Sequence, residues 1–165
     1  MAQAEVNRLR QGVHTQSLNL RDVLEGIFNL LAPRTQRAGV QIKLSSPGTW
    51  PSIVADRVML RQAVLNLLSY ALDTNAWGGM VITVSYGKSG LLIDTGESPA
   101  IAKTRSISRP SSKRTGVGLA VAQALIEAQG GRLEINERAG KWQARILLPT
   151  SGRTTLLVVD DNANL

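Results

Sequence analysis

The sequence predicts an α/β domain, and three observations carry that expectation. Amphipathic helical stretches alternate along the chain with short β-branched stretches of strand period. Hydrophobic residues make up 43% of the 165 residues, enough for a core, and the length suits about one domain with a tail or linker to spare. Only three Trp, two Tyr and one Phe are present, so that core must be built from Leu, Val, Ile and Ala.

Residues 2–12 have helical character without a strong stripe, since Val6 and Leu9 are their only large apolar side chains. His14 follows beside a glycine and has no acidic neighbour in sequence, which predicts an exposed loop. In "LNLRDVLEGIFNLLAPRTQRAG", Leu20, Val23, Leu24, Ile27, Phe28 and Leu31 hold the spacing of a core-facing helical stripe. Pro33 is expected to kink this helix or end its first part, and Gly39 to close it. "VQIKLS" alternates as a half-buried strand, residues 46–52 form a Pro/Gly loop, and Ile53 to Ala55 make a short strand. Asp56 is placed to cap a helix over 57–74 whose apolar face is Leu60, Val64, Leu67, Leu68 and Ala71. Another face of that helix carries Gln62, Asn66, Ser69, Tyr70 and Asp73. Asn is a poor helix-interior residue, so Asn66 faces either solvent or a polar ligand.

After a turn at "TNAWGG", "MVITVSY" has the alternation of a strand, and Gly87 to Gly90 a hairpin-like turn. "LLID" is expected as a short strand that leaves Asp94 at its end beside Gly96. A carboxylate there can accept a hydrogen bond from a ligand amine, and Asp-Thr-Gly is equally an ordinary turn. Residues 97–113 are rich in Ser, Pro, Ala and basic side chains, which predicts a mobile loop, either a lid over phosphates or simply solvated.

Residues 114–131, "RTGVGLAVAQALIEAQGG", form the organising stretch. Thr115 is a good N-cap, Gly130-Gly131 a stop, and Val117, Val121, Ala124, Leu125 and Ala128 recur at helical spacing as its apolar face. Gly116 and Gly118 leave backbone N–H groups open to an anion at a helix start. The same pattern serves tight turns, and the glycines alone do not separate the two. "RLEIN" and "WQARILLP" then alternate as two strands about Gly140. Past a linker at Pro149, Ser151 and Gly152, "TTLLVVDDN" is a continuous apolar strand ending in Asp160-Asp161, a strand type buried on both faces. The few residues after it cannot cover it, so a further domain is expected to begin there.

Composition narrows function. The absence of Cys excludes disulfides and Cys-bound zinc, and the single histidine excludes a multi-His metal centre. No apolar run approaches the ~20 residues of a membrane span, and no signal peptide is evident, so a soluble cytoplasmic location is expected. The net charge is +7 and the pI about 10.6. The basic residues cluster only at Lys103, Arg105, Arg109, Lys113 and Arg114, without interleaved aromatics to stack on bases, so no nucleic-acid partner is expected.

Taken together, the order of these stretches resembles the catalytic and ATP-binding domain of sensor histidine kinases, over about residues 19–149. "LRQAVLNLLSYALD" resembles the asparagine box of that family, "DTGES" its first glycine box and "RTGVGLAVAQALIEAQGGRLEI" its second. "TTLLVVDDNANL" is similar to the first strand of a receiver domain, and residues 1–18 to the tail of dimerisation helices or a linker, with residues 150–165 as linker and receiver strand. The resemblance implies an α/β sandwich, a mixed, mostly antiparallel sheet with helices packed on one face, and ATP between helices and lid. Asp94 would take the adenine amino group. Gly96, Gly116 and Gly118 would allow close approach, the helix start at Leu119 would face the phosphates, and Asn66 would be the first of two asparagines. The implied partners are a histidine-bearing dimerisation domain and a receiver domain of the same chain or of a response regulator.

Several positions depart from the family's pattern. Tyr70 stands where the second asparagine, the Mg²⁺ ligand, is usual, and a phenol is a poor ligand for a hard cation. Asp73 replaces the usual lysine and would repel phosphate. Thr74 replaces an aromatic, Ser98 and Arg114 replace glycines, and the lid phenylalanine is missing, Phe28 being the only Phe. These departures imply weak or absent ATP binding without Mg²⁺, and a pseudokinase-like regulatory scaffold. The alternative is an active module that transfers the γ-phosphate of ATP to a histidine on a separate dimerisation domain. Arg114 or Lys113 would then stand in for the lysine, and Arg105 or Arg109 would reach in from the lid.

Overall fold

The structure, a computed structural model, describes residues 12–46, 48–75, 79–97, 117–138 and 141–149. The elements are β1 (Thr15–Asn19), α1 (Leu20–Ala38), β2 (Gln41–Ser45), β3 (Ser52–Asp56), α2 (Arg57–Asn75), β4 (Met80–Gly87), β5 (Gly90–Glu97), α3 (Val117–Ala128), β6 (Arg132–Arg138) and β7 (Lys141–Leu147). The main sheet has the order β2-β4-β5-β7-β6. Its β2–β4 pair is parallel and the other pairs are antiparallel, so the sheet is mixed and mostly antiparallel. β1 and β3 form a separate antiparallel pair.

Strand alternation decides where the core lies. Ile82 and Val84 of β4, Leu91 and Ile93 of β5, and Ala144 and Ile146 of β7 share one face by register and are buried. They join Leu24, Ile27, Leu60, Val64, Leu67, Leu68, Ala122 and Ile126 of the helices in one apolar cluster. Thr83, Ser85, Leu92, Asp94, Gln143 and Arg145 alternate onto the opposite, half-buried face. The helices therefore pack on one face of the sheet, with α2 between α1 and α3.

Helix α1 runs through Pro33 to Ala38, so the proline does not end its first part. Proline removes a single N–H, and buried Leu31 and Thr35 on either side anchor both halves to the core. Asn19 caps the start by accepting from the Arg21 N–H at 3.0 Å. Gly39, at φ 66°, caps the end in the left-handed conformation, its N–H donating to Gln36 and Thr35 carbonyls. α3 stops similarly, with Gly130 at φ 79° and the Gly131 N–H donating to the Ile126 carbonyl at 3.0 Å.

Asp56 caps α2 as expected: its Oδ1 accepts from the Val58 and Met59 N–H groups at 3.0 and 3.1 Å. Its Oδ2 also accepts the His14 N–H at 2.8 Å, and its own N–H donates to Gln129 Oε1 at 2.8 Å. Gln129 in turn donates through Nε2 to the Leu125 carbonyl at 2.9 Å. One buried carboxylate residue thus joins the start of β1, the start of α2 and the end of α3.

Three expectations are corrected. Residues 15–18, grouped with the N-terminal tail, form most of β1 and pair with β3, so the folded region begins before residue 19. The apolar face assigned to the third helix holds only in part: Ala128 is buried and Leu125 packs against the core, but Val117 and Val121 are 66% and 42% exposed, and Ala122 and Ile126 are buried instead. That helix is apolar on nearly every side, so its period does not select a face, and packing on α2 does. Finally, β5 extends to Glu97, because Met80 and Val81 of β4 pair with Glu97 and Gly96. Asp94 is therefore inside a strand, not at its end.

Candidate functional site

Helix α2 places Asn66 and Tyr70 one turn apart on a half-buried stripe. Asn66 Oδ1 accepts a hydrogen bond from Gln62 Nε2 at 2.8 Å, which orients the amide and engages its oxygen. The Tyr70 ring lies against Trp142, with ring centroids 5.7 Å apart and planes tilted by 42°. Tilted aromatic pairs at such separations are attractive beyond the area they bury. Trp142 comes from β7 and is only 1% exposed, the largest fully buried side chain among the described residues. The indole is therefore held between the sheet and α2.

The Trp142 backbone is fixed by β5. Thr95 Oγ1 accepts from the Trp142 N–H at 2.9 Å and donates to the Trp142 carbonyl at 3.0 Å, the two groups on one hydroxyl. Thr95 is buried, on the register of Ile93. Among the described residues the Trp142 Nε1–H has no hydrogen-bond partner. A buried donor left unpaired costs about 1–3 kcal/mol, which the packing of the indole in the core has to offset.

Asp94 pairs with Thr83 of β4 and Gln143 of β7, on the strand register opposite to Ile93 and Thr95. The structure therefore brings Tyr70 against Trp142, keeps Asn66 one turn away on the same helix, and sets Asp94 on the opposite strand register. Gly96 and Gly118 share one property: a Cβ built on either meets nothing within 4 Å. Packing does not require glycine at these positions. Leu119 is half-buried in the first turn of α3 and packs against the core. Arg114, Thr115 and Gly116, the basic loop, the N-terminal helix and the C-terminal apolar strand lie outside the described residues.

Asp73, expected to repel a phosphate, forms an ion pair with Arg34 of α1. Its charge is thus met by a guanidinium, and the repulsion expected from the sequence is offset. For Mg²⁺ the side chains on this stripe are a poor match. An amide oxygen already engaged by Gln62 and a phenol whose ring packs against an indole do not make the set of hard oxygens this ion demands. Trp142, Thr95 and Arg34 were not singled out as site residues from the sequence. The alternation of "WQARILLP" carried the signal for Trp142, which shares a face with Ala144 and Ile146. Nothing local pointed to Arg34, whose partner is 39 residues away.

Among the described residues, three helices lie on one face of a mixed sheet, the central one bearing Asn66, which makes an α/β sandwich. Residues 55–154 match the family described as histidine kinase-, DNA gyrase B-, and HSP90-like ATPase, and the chain belongs to that family. It is 30% identical over 151 residues to histidine protein kinase DivJ of Caulobacter vibrioides, a match covering 84% of this chain and 25% of that protein. The chain thus spans about a quarter of that kinase's length. A histidine kinase structure from Burkholderia phymatum superposes with a TM-score of 0.65 at 18% identity, covering 91% of this chain and 76% of that one. Histidine kinase ThkA, solved in complex with the response regulator protein TrrA, shares the fold with a TM-score of 0.63 at 16% identity, covering 90% of this chain and 47% of that one. No helix among the described residues is long and apolar enough to cross a membrane.

Proposed function

We propose that this chain is the ATP-binding-type domain of a hybrid sensor histidine kinase in two-component signalling, with degenerate nucleotide boxes. It binds ATP weakly or not at all, without Mg²⁺ chemistry, and serves as a regulatory scaffold on the cytoplasmic side. The observation that carries this reading is Tyr70. It takes the place where the family resemblance puts a metal-binding asparagine, and its ring is committed to a buried tryptophan. A neutral phenol is a poor ligand for a hard cation, and its ring, held against the indole, fills space on the stripe that an asparagine would leave.

The partners in this reading are a histidine-bearing dimerisation domain and a receiver domain, either that of the same chain or of a response regulator. The complex of ThkA with TrrA supports the second of these. Active transfer of the γ-phosphate to a histidine is the alternative. Open space at Gly96 and Gly118 favours it.

Calorimetric titration with ATP, in the presence and absence of Mg²⁺ and beside an Asp94→Ala variant, separates the two. The degenerate reading expects no Mg²⁺-dependent heat at millimolar ATP. Binding that requires Mg²⁺ and is lost in Asp94→Ala establishes the active module instead.

A further inference from the structure

Three hydrogen bonds that span long stretches of sequence meet on β3. Asp56, its last residue, accepts the His14 N–H through Oδ2 at 2.8 Å, which ties down the segment leading into β1. The Asp56 N–H donates to Gln129 Oε1 at 2.8 Å, and Gln129 directly follows the last residue of α3. Two residues back, the Val54 N–H donates to the Pro149 carbonyl at 3.1 Å, so β3 is held on the edge away from β1 as well. The two oxygens of the buried Asp56 carboxylate serve different elements, Oδ1 the start of α2 and Oδ2 the segment before β1. A buried acceptor that loses its donor bears a desolvation cost, so withdrawal of His14 makes the carboxylate re-seat. Gln129 is buried too, and both ends of its amide are used, Oε1 on Asp56 and Nε2 on the Leu125 carbonyl. It therefore has little slack in which to absorb a shift of Asp56. α3 is one 12-residue helix, so a displacement at its Gln129 end is delivered to Gly118 at the other.

We infer that Asp56 and Gln129 are positioning residues of a built-in relay: whether the segment before β1 is seated on Asp56 sets how firmly the C-terminal end of α3 is held. The use of this relay in signalling rests on the function proposed above. The relay itself does not require that ATP binds.

The test is amide hydrogen exchange, read residue by residue by nuclear magnetic resonance on the full chain without nucleotide. His14→Pro removes the N–H that Asp56 accepts, and His14→Ala keeps it. In His14→Pro the N–H groups of Gln129, Gly130 and Gly131, which close α3, are expected to exchange at least about tenfold faster than in wild type, with Ile93 of the central sheet unchanged. His14→Ala is expected to match wild type. Asp56→Asn keeps an oxygen for α2 but turns an amide donor toward His14, so it breaks the same contact and carries the test if His14→Pro does not fold. In a Gln129→Leu background, which lacks the link, His14→Pro is expected to add nothing at Gly130 and Gly131. A change confined to Val58 and Met59 overturns the inference, as does an equal change at Ile93. So does a His14→Pro effect of undiminished size in the Gln129→Leu background. Since no nucleotide is present, a failed relay leaves the ATP titration to decide the function, and Mg²⁺-dependent ATP binding overturns the degenerate reading without touching the relay.

Discussion

Replacing Gly90 by alanine is expected to destabilise the domain by about 3 kcal/mol or more, because two independent penalties meet at one atom. Gly90 opens β5 with φ 89°, a conformation L side chains rarely adopt. A Cβ there would stand 2.3 Å from the Ile146 carbonyl oxygen and 3.0 Å from Leu147 Cδ2. The oxygen belongs to the backbone of β7, in the middle of the sheet, so it cannot rotate away as a side-chain end would. Relief requires β5 and β7 to separate, and their ladder holds Leu91 against Ile146 and Asp94 against Gln143. Gly87, at the other side of the same two-residue turn, is the control, since its Cβ would meet nothing within 4 Å. Urea unfolding of the two variants should give a large fall in midpoint for Gly90→Ala and a change within about 0.5 kcal/mol for Gly87→Ala. Equal effects would mean that the β5–β7 approach is looser than described.

Asp56→Ala is the second large effect, at about 3 kcal/mol, with a pH dependence of defined sign. The substitution removes the cap of α2 and leaves the N–H groups of Val58, Met59 and His14 without their acceptor. Burial raises the carboxyl pKa, but the backbone N–H groups of His14, Met59 and Val58, with the charge of His14, lower it by more. The net value lies below the ordinary one. A depressed carboxylate contributes its stability in full above the unfolded-state value of about 3.9, and loses it as pH falls through the lower folded-state value. The stability gap between wild type and Asp56→Ala should therefore be constant near neutrality and narrow below about pH 4. Asp56→Asn keeps a capping oxygen, so it should cost less and narrow less on acidification. A gap that widens in acid would show that the carboxylate is not the group responsible.

What the sequence revealed, and what it hid, follows from how far each signal reaches. The stripe of α1 from Leu20 to Leu31 was legible because helical period is local, and only Phe28 of that stripe is half-buried instead of buried. The caps at Gly39, Asp56 and Gly130 were legible for the same reason. β1 was not, because Leu18 is its only buried residue and no alternation exists to read; its strand conformation comes from β3. The full length of β5 was hidden for a like reason, being set by its partner β4. For α3, apolar side chains on nearly every side left the face undecided until α2 packed on it.

The candidate site shows the same limit. Asn66 and Tyr70 were picked out by spacing on one helix. The ring covering Tyr70 comes from the last strand, and the cation paired with Asp73 from the first helix. Asp94 was read correctly as a β5 residue, but its face depended on register with Thr83 and Gln143, which no local pattern encodes.

An indole is held between α2 and the sheet beside Tyr70, and the most direct measurement follows the Trp142 indole N–H itself. Its nuclear magnetic resonance signal can be assigned by its loss in Trp142→Phe and followed in deuterated solvent, then during titration with Mg²⁺ and ATP. Buried against Tyr70, this proton should exchange only through opening of the surrounding structure and should not shift at millimolar nucleotide. Exchange at the rate of an exposed indole, or a Mg²⁺-dependent shift on adding ATP, would contradict the account and show that the site opens to its nucleotide.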